Sequence, residues 1–309
     1  VTTALRRTGY RLFGPAFDYI LHLRPAEWPI MAGHTMVGYL LAVGVPGASH
    51  GVALGSALLA LGVWVVLLNG GTLALNSAFD RDAGDIGYLK APPPVPPHLG
   101  LVAFGLMALG LGLSVLLPVA FRWAYGICFV MSVAYSVPPL RLKAVAGADW
   151  LINMWGFGTL TPYAAYAATG RALEPAHALV LLAFCPLFAS LYPLTQLYQF
   201  DEDQARGDHT LALILGMRWS LVIALLAAGA AFGLLIIAGA RAGWPPRGAG
   251  SLRWVGLALA GAAWGRVLFP WLARHRTMTV AQHQAGMYAA LGAWAVTDLV
   301  VILAWGAYS

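Results

Sequence analysis

Nine apolar runs, each near the roughly 20 residues that a helix needs to cross about 30 Å of hydrocarbon, take up most of this chain. They lie at about 27–45, 51–76, 99–118, 120–135, 150–169, 175–199, 219–240, 252–273 and 285–307. Only 10% of residues are charged and 60% are hydrophobic, where a soluble domain carries roughly a quarter charged. The expected fold is an all-α integral membrane protein, a nine-transmembrane-helix bundle with cytoplasmic cap loops, forming a single membrane domain over residues 1–309. The acidic and amide side chains that escape the apolar pattern are therefore the informative ones.

Charge placement gives the expected orientation. Arg6, Arg7, Arg11, Arg24, Arg81, Lys90, Arg141, Lys143, Arg206, Arg218, Arg274 and Arg276 fall on the amino-terminal side of the bundle, and five arginines, from Arg122 to Arg253, fall on the other. Twelve against five puts the amino terminus in the cytoplasm and, with nine spans, the carboxyl terminus outside. The net charge of +6 is then topological and suits an anionic leaflet, with no nucleic acid as partner. Residues 1–23 read as an interfacial amphipathic helix, its arginines among headgroups and Leu12, Phe13, Phe17 and Ile20 inward. Arg24 is expected as a snorkelling flank and Trp28 as an interfacial anchor. Cys128 and Cys185 fall inside spans and read as packing residues.

Two polar clusters end apolar helices on the same side. In the first, over residues 76–98, Asn76 and Asp80 are four apart, which stacks them on one helical face, and Asp82 and Asp85 follow. In the second, over 199–218, Gln199 and Asp203 are four apart and Asp208 comes five later, as Asp85 does after Asp80. Gln196, Gln199 and Asp203 are expected on one helical face. The repetition suggests a duplicated half-site for divalent cations. Asn69 lies seven before Asn76, continuing a polar wall into the membrane. Five prolines in residues 92–97 force a stiff loop after Lys90, so Lys90 can offer an anion its charge. Over 135–149, Pro138 and Pro139 end another helix, and Arg141 and Lys143 alternate with leucines as if extended, pointing the same way. Pro162 is expected to kink its helix, with Thr159 and Thr161 satisfying freed carbonyls and a cavity widened beside it. His34, Arg266 and Asp298 are intramembrane polar groups, and an Arg266–Asp298 pair is the plain reading.

In this order and spacing the motifs resemble the UbiA superfamily of intramembrane prenyltransferases, over nearly the whole chain. Asn76 and Asp80 match its first aspartate-rich motif, with Ser77 where the family has an aspartate and the last aspartate displaced to Asp85. Tyr135 to Lys143 matches its YS-x-PP-x-RLK loop. Asp203 and Asp208 match the second motif, again with one extra residue between them. The resemblance implies a prenyl diphosphate donor and a lipophilic, aromatic acceptor of the quinone-precursor kind. Two Mg²⁺ ions are implied, one held by Asn76, Asp80, Asp82 and Asp85, the other by Gln199, Asp203 and Asp208. Lys90, Arg141, Lys143 and Arg206 are implied as diphosphate ligands. Tyr135, with Tyr163 and Tyr198, could flank an allylic cation, and Asp80, Asp203 and Tyr135 are the expected catalytic residues. The expected location is the inner (plasma) membrane, among membrane lipids.

Two other classes fit parts of the pattern. A membrane terpene cyclase of the same superfamily ionises the same donor but needs no acceptor. A transporter also carries intramembrane acids, although here they gather at one membrane face beside helix breakers.

Overall fold

A computed structural model of the chain describes residues 3–44, 54–80, 86, 88–205, 207 and 209–306. Asp82, Asp85, Arg206 and Asp208 lie outside the described residues. All named elements are helical: α1 (Thr3–Phe13), α2 (Phe17–His22), α3 (Trp28–Val43), α4 (Leu54–Leu61), α5 (Gly71–Asp80), α6 (Leu99–Leu113), α7 (Val119–Ser136), α8 (Ala148–Asn153), α9 (Thr161–Ala168), α10 (Pro175–Gln196), α11 (Phe200–Ala205), α12 (Leu211–Arg241), α13 (Ser251–Arg274) and α14 (Val280–Trp305). Two wider π-helical stretches, Gly62–Gly70 and Met154–Leu160, join α4 to α5 and α8 to α9.

Among the described residues seven helices are long and apolar enough to cross a membrane. The other two apolar runs take different forms. Helix α3 has 16 residues and stops where Gly44 adopts a left-handed φ of 83°. The run after Ala148 is divided by its π-helical stretch, because Pro162 has no N–H to continue the α-helical ladder. Outward-facing leucines and aromatics such as Leu101, Trp123, Leu226, Leu259 and Phe269 are more than half exposed, the pattern of a surface solvated by lipid.

The core has two parts. The larger is built from α3, α10, α12, α13 and α14, and the smaller from the α4–α5 arm, α6, α7 and α9. Tyr163 packs against both. Close approach needs small residues here: a Cβ on Gly38 of α3 would overlap the carbonyl of Pro162, and one on Gly158 would fall 2.5 Å from the Phe184 carbonyl oxygen.

Four expectations are corrected. The amino-terminal segment is two helices broken at Gly14–Ala16, with Phe17 and Leu21 buried against Leu89 and Arg6 Nη1 donating to the carbonyls of Lys90 and Ala91. Arg24 is buried, not snorkelling: a turn with φ of 51° aims it at Ser77 Oγ (3.4 Å) and Glu27 (3.9 Å). Helix α10 ends at Gln196, so Gln196, Gln199 and Asp203 do not share one continuous helix. Arg266 is exposed, and the partner of Asp298 is His34, whose Nδ1 lies 3.1 Å from its Oδ1.

Candidate active site

The site begins at the last turn of α5. Asn76 and Asp80 share a face there, as their spacing requires, and one ammonium finds both: Lys143 Nζ donates to Asn76 Oδ1 (3.1 Å) and to Asp80 Oδ1. Arg141 Nη2 lies 3.7 Å from the same carboxylate oxygen. Ser136 Oγ adds a long contact to Asn76 Oδ1 at 3.5 Å. The Asp80 side chain is 7% exposed and that of Lys143 11%, so each charge is withdrawn from water and balanced by the other.

The loop carrying the two cations is not extended. Arg141 is left-handed, its N–H returns to the Val137 carbonyl at 3.0 Å, and Leu142–Ala144 form a 3₁₀ turn. The prolines end α7 so abruptly that the chain folds back on itself, and the cations converge on Asp80 by curvature instead of by strand alternation.

Behind them lies Asp149, which sequence reasoning passed over. It is fully buried at the start of α8. Oδ1 accepts from Gly147 N (2.9 Å), and Oδ2 accepts from Gln196 Nε2 and Leu211 N (both 3.3 Å). His209 N also donates to the Ala144 carbonyl at 3.2 Å. Asp149 thus ties the loop after α7 to the end of α10 and the start of α12, holding one cap loop against the other. A lone acid beside a glycine at the head of an apolar run was the available signal.

In the second polar cluster, Asp203 is buried on α11 and Gln199 half-buried just before it, with Asp203 N donating to the Gln199 carbonyl at 2.9 Å. The hydroxyls of Tyr135 and Tyr192 are hydrogen-bonded to each other at 2.9 Å. Lys90 is exposed in the segment that Arg6 holds. Tyr198 packs against the larger core.

Above Asn76 a cavity of about 160 Å³ runs into the bundle. Asn69, Thr72 and Asn76 form one wall and Met131, Tyr135 and Phe157 border it, so the polar wall expected from the seven-residue spacing is present. Thr161 also lines it, its Oγ1 donating to the Gly156 carbonyl at 2.9 Å, while Thr159 reaches away to Leu181. The Gly158 carbonyl left without a donor by Pro162 lies 3.2 Å from His34 Nε2, with the Phe157 carbonyl at 3.0 Å.

Among the described residues no three His, Cys, Asp or Glu side chains gather at one point. The available donors at the two half-sites, Asn76, Asp80, Gln199 and Asp203, present oxygens, and hard oxygen donors suit Mg²⁺.

A family model described as the UbiA prenyltransferase family matches residues 31–292. A digeranylgeranylglyceryl phosphate synthase from Natronomonas pharaonis is 30% identical over 206 residues, which cover 65% of this chain and 70% of that one. A lycopene elongase/hydratase from Halobacterium salinarum is 28% identical over 239 residues, covering 72% and 84%. In fold, the chain is similar to a UbiA homolog from Archaeoglobus fulgidus bound to DMAPP and Mg²⁺, with a TM-score of 0.67 at 19% identity, over 93% of this chain and 99% of that one.

Proposed function

The chain belongs to the UbiA prenyltransferase family, and on that premise we propose that it moves a prenyl group from an isoprenyl diphosphate to a lipophilic acceptor bearing an aromatic ring. The observation that carries the reading is the convergence of Asp80, Asn76, Lys143 and Arg141 at the foot of a cavity of about 160 Å³. An apolar cavity of about that volume admits a benzene ring in another protein.

In this reading Lys143 and Arg141 bind phosphate oxygens of the donor through charge-assisted hydrogen bonds, Arg141 in two-pronged fashion. Lys90 and Arg206 add charge to the same anion. Release from Lys143 makes the Asp80 carboxylate available as a ligand, together with Asn76, Asp82 and Asp85, while Gln199, Asp203 and Asp208 form the second ligand set. Mg²⁺ held at those oxygens supplies charge stabilisation to the departing diphosphate. Tyr135 borders the cavity with its hydroxyl fixed on Tyr192, which orients its ring toward an allylic cation. The allylic C–O bond breaks with its electron pair on diphosphate, and the acceptor's ring carbon forms the new bond and loses its proton to the released diphosphate. The cavity wall keeps water from competing.

Nine membrane passages are part of this reading: the seven long helices, α3, and the segmented run from α8 to α9. Twelve cytoplasmic cations against five support an inner-membrane protein with both cap loops and the amino terminus in the cytoplasm. The test is reconstitution in liposomes with geranylgeranyl diphosphate and Mg²⁺. Diphosphate release is expected only when a hydroxylated aromatic acceptor is added. Equal release without any acceptor would turn the reading into a cyclase, and none under either condition would end it.

A further inference from the structure

Asn69 is 5% exposed, borders the cavity and, among the described residues, has no hydrogen-bond partner for either its side-chain oxygen or its nitrogen. Its polar neighbours in the wall are accounted for. Thr72 Oγ1 donates to the Leu68 carbonyl and contacts Ser132 Oγ, both at 2.8 Å. Thr161 Oγ1 accepts from Trp64 Nε1 at 3.3 Å, and Asn153 Nδ2 donates to the Asp149 carbonyl at 2.7 Å. A buried amide with neither end paired is destabilising. Its position follows from the local backbone: Asn69 is the last residue but one of the π-helical stretch Gly62–Gly70, and such wider turns re-aim side chains at functional sites.

Asn69 is seven residues above Asn76, so at about 1.5 Å per residue it lies about 10 Å deeper than the diphosphate end. A prenyl tail is hydrocarbon from its first carbon onward and offers the amide nothing. A molecule that satisfies Asn69 must carry an oxygen at that depth, and a hydroxyl answers both halves of the amide, donating to Oδ1 and accepting from Nδ2.

We propose that Asn69 is the specificity-determining residue for the acceptor, reading a hydroxyl-bearing head group, phenolic or glyceryl, and turning away an all-hydrocarbon acceptor. The inference rests on the prenyl-transfer reading only in calling that molecule the acceptor. A site built to hydrogen-bond a hydroxyl discriminates strongly against an analogue lacking it, because its own polar atoms are then left unpaired. Asn69 touches the head group and not the reacting bond, so its loss is expected in acceptor affinity and not in the donor's.

The test compares the protein with Asn69→Leu, which keeps the branched heavy-atom shape and removes the amide. Without acceptor, Asn69→Leu is expected to melt at or above the wild-type temperature, since an empty buried amide has been replaced by an apolar group. Binding is read by thermal shift, independently of turnover, with three probes: homogentisate, a geranylgeranylglyceryl phosphate and lycopene. A wild-type shift with either or both of the first two but not with lycopene, weakened at least tenfold in apparent affinity in Asn69→Leu, supports the proposal and tells phenol from glyceryl. Equal affinities in the two proteins, a lycopene shift as large as the others, or no wild-type shift with any probe overturns it. The affinity for geranylgeranyl diphosphate should be the same in both proteins, and a change there instead also overturns it. Acceptor-dependent diphosphate release by the same wild-type preparation tests the prenyl-transfer reading separately.

Discussion

The hydroxyls of Tyr135 on α7 and Tyr192 on α10 meet at 2.9 Å, a bond that joins the helix leading to Arg141 and Lys143 to the helix leading to Gln199 and Asp203. Gln196 Nε2 donates to the same Tyr192 hydroxyl at 3.3 Å and to Asp149 Oδ2. The network therefore runs from the cavity wall through α10 to the anchor of the second cap loop. It separates two uses of Tyr135, a hydroxyl that positions and a ring that faces the cavity.

That separation is testable. Tyr135→Phe keeps the ring and loses one buried hydrogen bond, with an expected stability loss of about 1 kcal/mol. Tyr135→Leu removes the π face as well, and with it an attraction for a cation of about 0.5–2 kcal/mol. Single-turnover rates should fall little in the first and several-fold or more in the second. Equal rates in the two variants would show that the ring has no part in the chemistry.

In the proposed two-ion arrangement Asp80 on α5 and Asp203 on α11 each hold one ion, and both side chains are buried. Asp80→Asn and Asp203→Asn each retain shape and hydrogen-bonding capacity while removing charge. Both are expected to reduce turnover to background, with unaltered helical content by circular dichroism, and raising Mg²⁺ should restore little. Near-normal activity of either variant at limiting Mg²⁺ would remove the two-ion arrangement.

The polar end of the site was legible because its information is local. Four-residue spacing alone puts Asn76 and Asp80 on one face, and paired prolines alone announce a sharp turn before Arg141 and Lys143. The shape of that turn was not legible, since backfolding depends on the Val137 carbonyl and the left-handed Arg141. Asp149 was missed because its partners, Gln196 and Leu211, are brought to it only by the packing of α8, α10 and α12. Asp298 was matched with the nearer cation in sequence, Arg266, whereas its partner lies 264 residues away. Spacing along one helix predicts a face; it does not predict which helix that face will meet.

His34 gives a stability prediction. Nε2 must carry a hydrogen, because the Phe157 and Gly158 carbonyls it faces can only accept, and Nδ1 faces Asp298. One ring therefore links α3, the π-helical stretch before α9, and α14. His34→Ala removes the ring contacts to the Asp298 side chain and to the Phe157 and Gly158 carbonyls, an expected loss of about 1–3 kcal/mol for a buried group left unpaired. Thermal unfolding in detergent should show it, and Arg266→Ala should leave the unfolding temperature unchanged.

The amino-terminal helices should respond to acid. Burial holds the His22 imidazole below its ordinary pKa, opposed by the Pro93 and Pro94 carbonyls, lowered further by Arg24 and raised by Asp18. A folded value below the unfolded one, about 6.5, means that this contribution is complete above that pH and is lost as pH falls through the folded value. Lowering pH from 8 to 5 should loosen α2 from the proline segment, seen as faster amide exchange in Phe17–His22. His22→Leu should flatten this response, and an identical pH profile in the two proteins would place the acid sensitivity elsewhere.

Lys143 and Arg141 separate a catalytic loop from ordinary membrane topology. If the two cations only enforce orientation, ten other Lys and Arg residues assigned to the same side of the bundle remain to do so, and replacing either cation should change little. If they hold diphosphate, each supplies a charge-assisted hydrogen bond of about 1.5–3 kcal/mol, and losing one weakens donor binding about tenfold or more. Their resting partner sharpens the expectation. Among the described residues, Lys143→Ala leaves the buried Asp80 paired with Arg141 at 3.7 Å, so this variant should lose stability as well as donor affinity. Arg141→Ala keeps the Lys143 contact and should lose donor affinity alone. Both should raise the KM for prenyl diphosphate with the acceptor KM unchanged. Orientation is checked by impermeant labelling of Leu140→Cys and Gly248→Cys, against a low background because Cys128 and Cys185 are buried; only Gly248→Cys should label from outside, in wild-type and variant backgrounds alike. A donor KM equal to wild type in both variants would return the loop to a purely topological role.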